Sequence, residues 1–209
     1  FKNAFEQNEI KISQILLTLD DTEQRRRSIN ARRTIDTLLK LGIVPIVNEN
    51  DTIATTEIRY GDNDRLASRV AQISSSDCLI LLSNINGLYS ADPTNGEDIK
   101  LIPSVNEIDQ DIEKMIGESI SKYGKGGMKT KIQAAKTAML SGCHLAITNG
   151  SIMKPIRSLF EGRPCTWFEP NKSPMAARKQ WIAGTMNPVG KLVIDQGAAD
   201  ALKKGSSLL

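Results

Sequence analysis

The feature that most constrains the fold of this chain is the alternation of helix-periodic segments with short, nearly unbroken apolar runs. The runs are IVPIV (43–47), DCLILL (77–82), HLAIT (144–148) and PCTWF (164–168), and the segments around them have the spacing of amphipathic helices. Unbroken apolar strands are typical of a sheet covered on both faces. The pattern therefore predicts an α/β fold, a mainly parallel sheet sandwiched by helices.

Local signals predict where some of these elements begin and end. The segment DDTEQRRRSINARRTIDTLLKLG (20–42) is predicted to be one helix, capped by Asp20 or Asp21 and ended by Gly42. Pro45 lacks a backbone donor, which favours an edge strand or an early position for its run. Parallel sheets bind ligands at the carboxyl ends of their strands, so the loops after these strands are the candidate sites.

The length of 209 residues predicts one full domain and a remnant of another. Periodicity holds over residues 1–170 and fades over 171–188, which is interpreted as a linker. Residues 189–209 contain the pattern of a strand and a helix that are too short to fold alone. We interpret them as the beginning of a second, smaller domain.

Composition narrows the class of protein. The net charge of +3 is too small to imply a polyanionic partner by itself. Cys78, Cys143 and Cys165 are odd in number and lack the spacing of a disulfide framework or a zinc site, which favours a reducing cytoplasm. No apolar run approaches the roughly 18 to 20 residues of a membrane span, and no leader resembles a signal peptide. We therefore expect a cytoplasmic protein with no membrane contact.

The glycine-rich segment GKGGMKTK (124–131) is a candidate phosphate site. Glycines let backbone N–H groups point at an anion, the following helix adds its dipole, and lysines add full charges. The segment matches neither the Walker A nor the dinucleotide-binding pattern. The alternative is a mobile loop with solvated lysines.

Two polar clusters, NEND (48–51) and GDND (61–64), lie just beyond the first apolar run. Neither has the spacing of a calcium-binding EF-hand loop. They are either two turns, for which Asn, Asp and Gly are common residues, or a site that holds an amino group and orients a carboxylate. The arginines at 25–27, 32 and 33 are interpreted as a solvated face or a subunit contact.

Taken in order, five segments resemble the glutamate 5-kinases of the amino acid kinase family. They are LLTLDDTEQRRRSINARRTI, VPIVNENDTIATTEIRYGDNDRLAS, LILLSNINGLYSADP, YGKGGMKTKIQAA and ARKQWIAG, followed by the ending GSSLL, and together they cover essentially the whole chain. The resemblance implies transfer of the γ-phosphate of ATP to the side-chain carboxylate of L-glutamate, the first step of proline biosynthesis. It also implies Mg²⁺, and no metal-ligating residues are predicted. A homo-oligomer is expected because the sheet, without the family's first strand, would be short of a central member.

The resemblance also implies roles for individual residues. Lys131 would stabilise the transition state, and Asp64 would orient catalytic lysines. Asp51 and Asn63 would bind glutamate, with Asn48 and Asp62 close by. The nucleotide would be bordered by Ser83 and Asn84 and by the loop Lys125, Gly126, Gly127, Met128, Lys129, Thr130 and Lys131.

The sequence departs from the family pattern at several places. Ser83 and Asn84 stand where Thr-Asp is common, and Lys125 and Lys129 stand where small residues are expected. The family's first strand, with a glycine-rich loop and a lysine, is expected upstream of Phe1, and most of an RNA-binding PUA domain is expected downstream. RNA contact is expected only through a complete PUA domain. The alternative function is a non-catalytic remnant that binds nucleotide, partner subunits or RNA.

Overall fold

The structure is a computed structural model that describes residues 1–52, 62–91, 99–118, 127–177 and 193–203. The chain divides into two units, Phe1–Arg178 and Lys179–Leu209. In the second unit the described part contains one helix, Gln196–Lys203 (α8). The predicted strand before it falls largely outside the described residues. The division into a kinase domain, a linker and a PUA-like start stays a prediction.

The first part of the chain forms a parallel pair of strands with helices between them. In order, its elements are α1 (Lys2–Glu6), β1 (Ile12–Leu17), α2 (Leu19–Glu23), α3 (Arg25–Lys40) and β2 (Val44–Glu49). The register of the pair runs from Ile12 opposite Val44 to Leu17 opposite Glu49. Pro45 is the second residue of β2, as its missing donor favours. Neither α1 nor β1 was predicted from the sequence.

The helix predicted over residues 20–42 is divided into α2 and α3, and its cap differs from the prediction. Thr18 is the cap: its hydroxyl accepts from the Asp21 N–H at 3.3 Å, and the Thr18 N–H donates to Asp21 Oδ2 at 2.8 Å. The prediction of Asp20 or Asp21 as the cap was wrong because Asp21 is the reciprocal partner of this capping box. The chain is extended at Gln24, which separates the two helices.

The remaining strands form a second sheet, in the order β3–β5–β6–β4. They are β3 (Cys78–Ser83), β4 (Ser104–Val105), β5 (His144–Asn149) and β6 (Cys165–Phe168). The pairs β3–β5 and β4–β6 are parallel, whereas β5 and β6 are antiparallel. The prediction of a mainly parallel α/β fold is confirmed, although the described strands form two sheets where one was predicted.

Three long helices organise the core. They are α3, α4 (Asp62–Ser74) and α6 (Gly127–Leu140), while α5 (Gln110–Glu118) and α7 (Pro155–Phe160) are shorter. Helix α4 packs on both β2 and β3, and so connects the two sheets; α6 packs on α4 and β5. The centre of the core is fully buried at Ala135, Ala138, Leu145, Ile147 and Phe168. Among the described residues, no helix combines the length and apolar character needed to cross a membrane.

Candidate active site

Small residues let helices α4 and α6 lie close together. On α4, Ala67, Ser68 and Ala71 follow Asp64 at helical spacing; on α6, Ala134, Ala135 and Ala138 follow Lys131 at the same spacing. The three alanines of α6 are at most 1% exposed. Because residues three and four apart share a helix face, the packed faces extend to Asp64 and Lys131 at the amino-terminal ends of the helices. The packing therefore brings together two charges that are 67 positions apart in sequence.

Asp64 and Lys131 form a direct ion pair. Lys131 Nζ donates to Asp64 Oδ2 at 2.9 Å and to Oδ1 at 3.2 Å. The side chains of Lys131 and Asp64 are only 15% and 17% exposed. An amine held in this way keeps a fixed position and a partly shielded charge, which are the properties needed to stabilise an anion placed beside it.

Thr130 is the third member of this cluster. Its hydroxyl lies 2.9 Å from Asp64 Oδ2 and 3.1 Å from the carbonyl oxygen of Gly127. The Asp64 carboxylate thus accepts hydrogen bonds from two neighbouring residues of α6. The sequence predicted a nucleotide contact for Thr130 and contained no signal for this contact with Asp64.

The amino-terminal end of α6 is exposed at Gly127 and Lys129. Among the described residues, a Cβ built on Gly127 would meet no atom within 4 Å. Met128 instead packs against the core. Lys125 and Gly126 of the predicted ATP loop lie outside the described residues.

The four residues predicted to bind glutamate lie near the end of β2 and the start of α4. Asn48 is an exposed residue of β2, and Asp51 is exposed in the turn that follows. Asp62 begins α4, although its side chain lies outside the described part of the chain; Asn63 is exposed on α4. Within the described residues, no hydrogen bond joins Asn48 or Asp51 to Asn63. Exposed side chains in these positions are available to a small ligand.

Ser83 and Asn84 lie at the carboxyl end of β3, where parallel sheets place ligands. Ser83 pairs in register with Asn149 of β5, and its carbonyl accepts from the Gly150 N–H at 2.7 Å. The Ser83 hydroxyl donates to the Asn84 side chain at 3.3 Å, and Asn84 is exposed.

Thr166 of β6 holds the loop after Asn84 by hydrogen bonds. It was not among the residues predicted from the sequence. Thr166 is fully buried; its hydroxyl accepts from the Leu88 N–H at 2.8 Å and donates to the Ile102 carbonyl at 2.6 Å. A Cβ on Gly87 would lie 2.3 Å from Thr166 Oγ1. The signal that could have identified Thr166 is its position two residues before Phe168, on the same face of the strand. A polar residue on a buried face needs hydrogen-bond partners, which predicts a contact with a neighbouring segment.

Arginines on α4 pair with Glu23 at the end of α2. Arg65 and Arg69 each lie 3.3 Å from Glu23 Oε1. Of the arginine run at 25–33, Arg27 pairs with Asp21 and Arg32 with Asp36. Ion pairs this accessible to solvent contribute little energy individually, but those of Arg65 and Arg69 connect α2 to the helix that carries Asp64.

The cysteine thiols have the character of structural groups. Burial raises the pKa of Cys143 to about 12, with smaller contributions from the charges of Cys78 and Asp77. Burial also raises the pKa of Cys78 and of Cys165. Thiols in such surroundings are poor nucleophiles. Within the described residues, no group of three or more His, Cys, Asp and Glu side chains is arranged to hold a metal ion.

Proteins of known sequence match the whole chain. A glutamate 5-kinase of Pelagibacter ubique is 59% identical over 209 residues, which are 100% of this chain and 57% of that protein. A glutamate 5-kinase of Paramagnetospirillum magneticum is 55% identical over 100% of this chain and 56% of that protein. The chain thus spans little more than half the length of these curated relatives.

Solved structures share the fold at low sequence identity. UMP kinase from Ureaplasma parvum has a TM-score of 0.54 and 14% identity, over 80% of this chain and 64% of that one. Carbamate kinase from Giardia lamblia, bound to AMP-PNP, has a TM-score of 0.52 and 16% identity, over 81% and 66%. The sequence profile of the amino acid kinase family matches residues 1–149, which contain Asp64, Lys131 and the packed helices that join them. On this match, the chain belongs to the amino acid kinase family.

Proposed function

We propose that this chain carries the phosphoryl-transfer site of a glutamate 5-kinase, which uses ATP to phosphorylate the side-chain carboxylate of L-glutamate in proline biosynthesis. Two relatives that bear this name are 59% and 55% identical to the whole chain. Because the chain spans 57% and 56% of their lengths, the substrates and activity of the whole protein belong to the proposal.

The observation that carries the proposal is the ion pair between Asp64 and Lys131, at the converging amino-terminal ends of α4 and α6. The side-chain carboxyl group of glutamate ionises at a pH of about 4.3 in water, so at neutral pH it is already an anion and its attack needs no general base. The difficulty is to bring two anions together. A lysine held at a fixed position near the start of α6 is suited to that task.

In the proposed reaction, a carboxylate oxygen of glutamate forms a bond to the γ-phosphorus of ATP as the bond from that phosphorus to the leaving ADP oxygen breaks. The Lys131 ammonium stabilises the charge on the transferring group, and Asp64 keeps the ammonium in place. No proton is transferred to or from the attacking oxygen.

The other predicted residues have proposed roles in binding. Asp51 and Asn63 hold glutamate, with Asn48 and Asp62 beside them. Nucleotide contacts come from Ser83 and Asn84 and from the segment 125–131, with the exception of the Thr130 hydroxyl. Mg²⁺ would enter with ATP and would neutralise part of the phosphate charge.

The proposal extends to setting and partners. We place the protein in the cytoplasm, where its free cysteines stay reduced, and expect it to form a homo-oligomer. Residues 1–170 would form the kinase domain and 171–188 a linker. Residues 189–209 would begin a PUA-like domain, through which any contact with RNA would pass.

The experiment that tests this function traps the acyl phosphate with hydroxylamine and measures binding in parallel. ATP, Mg²⁺ and glutamate are supplied to the chain and to Lys131→Ala, and the hydroxamate is quantified. Lys136→Ala is the matched control: Lys136 lies on the same helix and pairs with Glu113 on α5, away from the proposed site. Calorimetry with ATP and with glutamate records binding independently of turnover.

We expect hydroxamate from the chain and from Lys136→Ala, and a loss of about 100-fold or more in Lys131→Ala, as for removal of a major electrostatic stabiliser. Binding of ATP with no product would support the nucleotide site alone. A chain that bound neither ATP nor glutamate would contradict the proposal.

A further inference from the structure

We infer that the side chain of Thr130 positions the Asp64–Lys131 pair and that its hydroxyl does not bind the nucleotide phosphates. This inference rests on the proposed function, since it assigns a role within that site. It changes the role that the family resemblance implies for Thr130, which is that of an ATP contact.

The geometry commits the Thr130 hydroxyl to Asp64. A threonine hydroxyl has one proton to donate, and the two acceptors within reach are Asp64 Oδ2 at 2.9 Å and the Gly127 carbonyl at 3.1 Å. The carboxylate is the closer acceptor and carries a charge, which makes it the stronger one. Phosphate oxygens of ATP are acceptors at neutral pH. A hydroxyl whose proton is already used by Asp64 has nothing to donate to them.

The hydrogen bond from Thr130 adds to those from Lys131 and restricts rotation of the Asp64 carboxylate about its terminal torsion. The terminal torsion of Asp is broad, so one contact leaves the plane of the carboxylate loosely defined. Lys131 Nζ is shared between the two oxygens, and Thr130 binds one of them from an adjacent position on α6. Two anchors fix the carboxylate plane and, through it, the position of the ammonium.

Two substitutions separate this role from a nucleotide contact. Thr130→Val keeps the shape and removes the hydroxyl, whereas Thr130→Ser keeps the hydroxyl and removes a methyl group. In steady-state kinetics we expect Thr130→Val to lower kcat by about 10- to 100-fold, with the KM for ATP within about twofold of the unsubstituted chain. Thr130→Ser should keep kcat within about threefold of the unsubstituted chain, and calorimetry should give Thr130→Val an unchanged affinity for ATP.

A readout that needs no turnover follows the lysine directly. Acetic anhydride labelling, quantified by mass spectrometry, reports the accessibility of Lys131, with Lys136 of the same helix as the internal reference. Thr130→Val should raise the rate for Lys131 severalfold relative to Lys136, and Thr130→Ser should not. Circular dichroism confirms that each variant is folded.

Two outcomes would overturn the inference. In one, Thr130→Val weakens ATP binding or raises its KM about tenfold while kcat is kept, as expected for a phosphate ligand. In the other, Thr130→Val leaves both kcat and Lys131 labelling unchanged. If the unsubstituted chain neither binds ATP nor forms product, the proposed function fails, and the labelling still shows whether Thr130 positions the pair.

Discussion

Replacing Thr166 with valine should destabilise the protein through two hydrogen bonds. The side chain is fully buried, and its hydroxyl connects the Leu88 N–H at 2.8 Å to the Ile102 carbonyl at 2.6 Å. Valine has nearly the same shape, so packing is preserved while a buried donor and a buried acceptor lose their partner. Each unsatisfied buried group costs about 1–3 kcal/mol, so the loss of two partners should lower the free energy of unfolding by about 2–6 kcal/mol. The loop from Asn84 to Leu88 should also open more readily.

Thr166→Ser is the matched control, because it keeps the hydroxyl and loses one methyl group. That loss costs about 1 kcal/mol, so the order of stability should be Thr, then Ser, then Val. Urea unfolding followed by circular dichroism measures the differences, and hydrogen exchange at the Leu88 amide reports the local effect. A valine variant as stable as the parent, or more stable than the serine variant, would refute the reasoning that these bonds fix the loop.

Three further substitutions test other parts of the fold. Ala135→Leu places a large side chain at a fully buried position beside α4; it should cost about 1–3 kcal/mol in urea unfolding and raise acetylation of Lys131 by separating it from Asp64. Gly142→Ala forces a Cβ at φ +75° to within 2.5 Å of the Ser173 backbone; thermal unfolding should show a loss of about 2 kcal/mol or more, and an unchanged midpoint would contradict this contact. Asp21→Asn tests the capping box: burial raises the Asp21 pKa, but the hydrogen bonds from Thr18 and the charge of Arg27 outweigh burial and lower it overall. A carboxylate with a depressed folded pKa stabilises the fold above its unfolded pKa of about 3.9 and loses that contribution as the pH falls through the folded value. Stability should therefore fall less steeply with acid in Asp21→Asn than in the parent, and equal slopes would contradict the assignment.

The fold class was predictable because buried strands leave a plain signal. The apolar runs that end at Val47, Leu82, Thr148 and Phe168 all form strands. The segments predicted to be helical from their periodicity form α4 and α6. Strand β1 was missed because its sequence, ISQILL, has a polar centre that resembles neither an apolar run nor strict alternation. The antiparallel direction of β6 depends on the path of the chain through α7, which local patterns do not encode.

The contacts within the candidate site could not be predicted from local sequence patterns. Asp64 and Lys131 were named through the family resemblance, whereas their contact depends on the separation of two packed helices. The alanines that set this separation have no chemistry of their own, and in sequence they read only as good helix formers. The contact between Thr130 and Asp64 has the same origin, and for that reason it had no signal in the sequence.

The amino-terminal end of α6 carries positive charge, where helices are usually stabilised by negative charge. Negative charges stabilise the start of a helix and positive charges its end. Helix α6 has no acidic residue in its first turn, yet it carries Lys129 there and Lys131 just beyond. Asp64, contributed by another helix, neutralises Lys131, whereas Lys129 is exposed. A positively charged helix start is stabilised when an anion binds to it, so an arrangement that is unfavourable in the free chain fits the phosphate contact proposed for this segment.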